Sequence, residues 1–160
     1  MTDTEQHLID LSADYTKIRM KDVRPSHGFD HVQRVLENAK RIAAAEKDAD
    51  IFIVTAAALL HDIARNEEDM SSGKICHAER GAALALDFLL SHGLESGRAG
   101  HISRCILTHR FRKNNAPDTI EAKILFDADK LDSIGAIGIG RAFLFAGEVG
   151  ALLHNPDIQP

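Results

Sequence analysis

The chain of 160 residues has no Trp, one Tyr and only two Cys. Cys76 and Cys105 are too few for a disulfide framework. Neither has a neighbouring cysteine, so CxxC metal or redox chemistry is excluded and free thiols are expected. No run approaches 18 apolar residues, which excludes a membrane span of the helical kind. The opening MTDTEQHLID has neither a basic nor an apolar stretch of a secretory signal, so a cytoplasmic protein is expected. Basic residues are in deficit, 19 against 24 acidic, for a net charge of −5. A broad nucleic-acid surface needs the opposite balance. What the chain has in quantity is histidine, nine in all. Its length and its 44% hydrophobic content suit one globular domain, residues 1–160.

The periodicity is helical nearly throughout. Leu8, Leu11 and Ile18 follow a loose helical period over 3–19, and Pro25, Ser26 and Gly28 break it. From Phe29 or Asp30 to Glu46, residues Val32, Val35, Leu36, Ala39, Ile42 and Ala43 fall on one face, with Ser26 or Asp30 as the cap. Asp48 and Asp50 start a segment, 51–64, that is apolar all round and therefore central and buried. Asn66–Gly73 reads as a polar loop, able to act as a lid. Helices are expected over 78–91 and 98–110, then over 118–133 with Asp118 as its cap, after a loop at Asn114, Asn115 and Pro117. Gly135, Gly138 and Gly140 make the next stretch poor in helix propensity, and packing inside the fold is expected for 134–147. No alternating strand appears. The fold class is all-α, six or seven helices, with a C-terminus that reads as incomplete.

One pair stands out. His61-Asp62 ends the most apolar segment, where a charged Asp is costly unless a cation compensates it. Imidazole plus carboxylate suits Mn, Fe, Co, Ni or Zn. His31 lies on the preceding helix and Asp129 on a later one, and helical bundles build metal sites from facing helices in this way.

These pieces are His31 in HGFDHVQRV, His61-Asp62 in AALLHDIAR and Asp129 in DADKLDSIGAIGIGRAF, separated by 30 and then 67 residues. In order and flanks they resemble the HD-domain superfamily of metal-dependent phosphohydrolases over about residues 20–145. The resemblance implies a compact helical bundle with a divalent metal on His31, His61, Asp62 and Asp129. Asp127 would then orient a ligand, and Asp132 is read as a helix-surface carboxylate. His27 completes an HxxxH pattern, as a phosphate contact, an orienting group or a structural loop residue.

Some members carry a second metal. His77 and His109 are the candidates here, with His101 in reserve, and Asp62 could bridge because a carboxylate has two oxygens. Arg65 and Lys130 are the nearest phosphate partners in sequence, with Arg34, Arg110 and Arg112 behind them. The general base is left open among Glu67, Glu68 and Asp69. His7, His92 and His154 have no motif around them.

The function implied is hydrolysis of a small phosphorylated substrate, a nucleotide by family preference, with Asp62, Arg65 and Lys130 in the catalytic centre. The cofactor would be one or two divalent transition metals, Mg also being admissible. Two other readings stay open, a di-iron oxygenase and a non-catalytic module that binds a nucleotide or metal. A homodimer is open as well.

Overall fold

The computed structural model describes residues 1–110 and 115–152. Among them are eight α-helices and no strand: α1 (Asp3–Arg19), α2 (Phe29–Ala43), α3 (Ile51–Leu60), α4 (Arg65–Met70), α5 (His77–Ser91), α6 (Ser96–Thr108), α7 (Ile120–Leu131) and α8 (Gly135–Glu148). A 3-10 turn, Pro25–His27, precedes α2. The all-α architecture expected from the periodicity is the one observed. Arg112, Asn114 and His154 lie outside the described residues.

The centre of the bundle is α3. All but the first of its ten residues are buried, as an all-round apolar segment requires. It packs against α1, α2, α6 and α7. Asp50 caps its start, accepting from the amides of Phe52 and Ile53. Its last turn needs outside help, because terminal carbonyls have no partner in the helix. Thr16 of α1 donates its hydroxyl to the Leu59 carbonyl, and Arg19 donates to that of Ile63. The buried helix therefore ends in a fixed place, with His61-Asp62 next in the chain.

Several local expectations are corrected. Gly28, without a side-chain cap bond, starts α2, rather than Ser26 or Asp30; Ser26 is instead held by Glu148. Thr119 caps α7, accepting from the Ala122 amide, while Asp118 pairs with Arg104. The polar stretch after the HD pair is not all loop. Its first half is α4, with Glu67 and Glu68 in the first turn, where the helix dipole favours carboxylates.

The largest correction concerns α8. It is a full helix despite its glycines, yet Gly138 is its one buried residue. Ile137, Ile139, Phe143 and Leu144 are exposed. It packs on the 3-10 turn rather than inside the bundle. At Gly138 a Cβ would lie 2.2 Å from the Ser133 backbone, so the residue must be Gly for α8 to turn back over the end of α7.

Candidate metal centre

His61 and Asp62 enter from the end of α3, His31 from α2, His77 from the start of α5, His109 from the end of α6 and Asp129 from α7. All six meet. They form two groups that could each hold a metal ion: His31, His61 and Asp129, and Asp62, His77 and His109. Within each, one donor atom per residue lies within 4.8 Å of the others.

Asp62 stands between the groups. Its Oδ2 is 3.7 Å from His31 Nε2 and 3.8 Å from His61 Nε2. Its Oδ1 is 3.2 Å from His77 Nε2 and 3.9 Å from His109 Nε2.

The four imidazoles are oriented in the same way, by their Nδ1 atoms. His31 Nδ1 lies 2.7 Å from Asp132 and His77 Nδ1 2.5 Å from Glu68. His61 Nδ1 meets the Ala58 carbonyl at 2.8 Å and His109 Nδ1 the Ile106 carbonyl at 2.6 Å. Carboxylates and carbonyls only accept, so each Nδ1 carries a proton, and in the neutral ring each Nε2 keeps a lone pair. Arg110 also lies 3.0 Å from His77 Nδ1, but the shorter contact to Glu68 decides that tautomer.

The lone pairs then face one another. His31 and His61 Nε2 are 3.4 Å apart, and His77 and His109 Nε2 are 3.2 Å apart. Buried Asp62 Oδ1 has no hydrogen-bond donor among the described residues. An inward-facing set of lone pairs and anionic oxygens in a dry place is unfavourable by itself. It fits a cation, and His/Asp donors suit a divalent transition metal.

The electrostatics agree with that geometry. Burial alone would raise the Asp62 carboxyl, but Arg65 and the surrounding imidazoles hold it well below the usual range. Asp129 is likewise held low by His31, His61, His109 and Lys130 against its burial. Burial pushes His61 down, and pushes His109 to about 3 with His61 adding to it, so both stay neutral and ligand-ready. His31 goes the other way. Its burial is outweighed by Asp129 and Asp132, which favour a proton on it.

Of the histidines considered for a second site, His77 and His109 reach the cluster. His101 instead faces Thr119 and Glu121. His7 and His92 are exposed. Asp127 does not orient a ligand. It is exposed, two residues and so about 200° around α7 from Asp129. Asp132 takes that role and is not a surface group. It is buried, receives His31, and is held by Arg34 and Arg141. Its carboxyl is lowered to about 2 by His31 and Arg34 against the cost of burial. Glu68 plays the same part for His77. It pairs with Arg65 and Arg110, and His77 and Arg110 lower it to about 2 against its burial.

The centre opens to a cavity of about 190 Å³ that His27, Arg65, Arg110, Lys130 and Arg141 help to line. A cleft of about 510 Å³ adjoins it, sharing four of those five (not Lys130) and adding Arg24, Phe145 and part of the segment after the HD pair. Arg65 contacts Asp62 and Glu68, and Lys130 contacts Asp129 at 2.7 Å. Arg34 is spent on Asp30 and Asp132 and faces a different groove. Arg24 and Arg141 were not singled out from the sequence. No spacing signal reaches them, because each comes to the cleft through the fold.

The family model for the HD domain matches residues 28–134. The chain belongs to the HD domain family. This HD-domain chain is 36% identical over 142 residues to the uncharacterized protein YpgQ of Bacillus subtilis, covering 86% of this chain and 66% of that protein. It thus spans just under two thirds of that relative's length. Among solved structures, a predicted HD superfamily hydrolase from an uncultured Thermotogales bacterium superposes with a TM-score of 0.74 at 37% identity, covering 85% of this chain and 74% of that one. YpgQ in complex with ADP superposes with a TM-score of 0.71 at 30% identity, covering 96% and 73%. No helix among the described residues of this HD domain is long and apolar enough to cross a membrane.

Proposed function

We propose that the chain is a metal-dependent phosphohydrolase acting on a small phosphorylated substrate, a nucleotide, with two divalent metals that share Asp62. The observation that carries this reading is buried Asp62, whose Oδ2 faces His31 and His61 and whose Oδ1 faces His77 and His109, with Asp129 completing the first group. His31, His61 and Asp129 would hold one ion and His77 and His109 the other. Such ions, when bound, lower the pKa of a water and polarise a phosphoryl oxygen.

The protein's own part is to bind and orient. Arg65, Arg110 and Arg141 line the small cavity and offer forked donors suited to phosphate oxygens. Lys130, half exposed beside Asp129, adds a point charge at the rim. Glu68 orients His77, so a role as general base would compete with that duty. The YpgQ complex with ADP supports a nucleotide as the ligand class to test first.

The test is elemental analysis of protein prepared without chelator or affinity metal, together with phosphate or pyrophosphate release from a nucleotide panel. Two metals per chain and turnover that disappears with the metals are expected. Turnover that survives full metal loss would overturn the reading. Tight nucleotide binding without turnover under any metal would replace it with a binding module, and oxygen uptake by a coloured iron pair with an oxygenase. The exposed apolar residues of α8 favour a homodimer as part of the same reading, checked by light scattering.

A further inference from the structure

Behind His27 lies a chain of hydrogen bonds that the metal centre does not use. Glu148, at the end of α8, accepts from the Ser26 amide at 2.9 Å and from the Ser26 hydroxyl at 2.5 Å. The same hydroxyl oxygen lies 2.9 Å from His27 Nδ1. A hydroxyl has one proton. Because the carboxylate can only accept, that proton points to Glu148, and the Ser26 oxygen must accept from His27. Nδ1 therefore carries the ring's hydrogen and Nε2 is left bare.

The setting keeps it bare. His27 lines both the small cavity and the larger cleft, with Arg65, Arg110 and Arg141 around the same space. Burial, with the charges of Arg65 and Arg141, disfavours a positive charge on the ring. Nε2 of His27 has no hydrogen bond among the described residues. Its ring stands edge-on between His31 of the metal centre, 6.2 Å away, and Phe145 of α8, 5.9 Å away. Ser26 is itself pinned. It is buried, and its carbonyl accepts from Arg141 at 2.9 Å, while Arg141 also holds Asp132. The relay is thus rigid at its root, and a surface Glu on an otherwise loosely packed helix has a specific task.

We infer that Glu148 is a positioning residue which, through Ser26, fixes the tautomer of His27 so that Nε2 is a hydrogen-bond acceptor for a hydroxyl in the cleft. Arg65, Arg110 and Arg141 offer only donors to that space, whereas a bare imidazole nitrogen accepts and so suits an O–H rather than a phosphate oxygen. The O–H has two sources, the attacking water and a hydroxyl of the substrate. The inference rests on the proposed hydrolytic reading for the identity of that O–H, and not for the tautomer.

The test is long-range ¹H–¹⁵N correlation of the imidazoles in the zinc-loaded full chain, with His27→Gln used to assign the His27 signals. The Nδ1–H tautomer is expected in the native protein. Glu148→Gln is near-isosteric but brings a donor. Ser26 can then accept from the new amide and donate to His27, which turns the ring to its Nε2–H tautomer. Glu148→Asp, with a shorter carboxylate, should restore part of the native signal.

Metal content should be unchanged in both variants. Turnover of the best nucleotide in the panel should fall roughly 10²-fold in Glu148→Gln, the scale of a misplaced proton donor or acceptor. A fall in kcat at constant KM assigns the hydroxyl to water. A rise in KM for a ribonucleotide but not for its deoxy counterpart assigns it to the substrate. An Nε2–H tautomer in the native protein overturns the inference, as does a ring that Glu148→Gln does not turn, or one that turns without effect on either kcat or KM. If no nucleotide is hydrolysed at all, the functional reading fails while the tautomer still decides the relay.

Discussion

The two groups of ligands are built on one plan and finished differently. Each has one histidine backed by a carboxylate, His31 by Asp132 and His77 by Glu68. Each has one backed by a carbonyl three residues earlier, His61 by Ala58 and His109 by Ile106. The two imidazoles of each face one oxygen of Asp62. The difference lies in the third member. Asp129 of the first group has a side chain 17% exposed and paired with Lys130, whereas the second group is buried throughout. The supports differ too. Asp132 is gripped from α2 and α8, and Glu68 from Arg65 and Arg110 beside the cleft. The repeated plan shows that a buried imidazole needs its second nitrogen satisfied before the first can serve a metal. The contrast leaves Asp129 as the one candidate ligand that is partly exposed.

The largest effect is expected at the member that both groups share. Asp62→Ala should remove both metals, taking the content from two per chain to none and turnover below detection, as read by elemental analysis and phosphate release. Next come single ligands. His61→Ala and His109→Ala should each leave about one metal per chain, and equal loss of both ions in either variant would show the groups to be one site.

The supports should give smaller, separable effects. Asp132→Asn and Glu68→Gln should each weaken one metal by about 10–100-fold in a calorimetric titration, and leave the other near its native affinity. Acid behaviour sharpens the contrast further. In the metal-free protein His109 stays neutral down to about pH 3, while in the unfolded chain it takes a proton below about 6.5. Its contribution to stability is therefore lost as pH falls through that window. His31, raised when folded, gives stability that is present below about 6.5 and lost as pH rises through its folded value. In chelator, His109→Gln should flatten the acid-side fall of Tm and His31→Gln should steepen it. The smallest effect is expected at the rim. Lys130→Ala should alter stability by no more than about 1 kcal/mol, since its ion pair is half exposed, and should act mainly on KM.

The helical class, the buried α3 and the six candidate ligands were legible in the sequence, because helical periodicity is local and the HD pair ends a segment too apolar to lie outside. The resemblance carried His31 and Asp129, which spacing alone would not have chosen over Asp127 or Asp132. What was misread shares a cause. Asp132 looked like a surface carboxylate because its partners, Arg34, His31 and Arg141, are respectively 98, 101 and nine residues away. Glu68 could not be told from Glu67 or Asp69 until α4 turned it toward His77. The stretch at α8 was expected inside because its Gly and Ala residues allow close packing, but composition does not say which helix finds a partner.

By itself, then, the sequence determined which groups could bind a metal, since side-chain chemistry and helical period are properties of short segments. The tertiary structure alone decided how those groups divide around Asp62, which carboxylate holds which imidazole, and that Glu148 reaches Ser26 across 122 residues. Those are facts of direction and distance, fixed only when α3 is buried and the other helices close around its end.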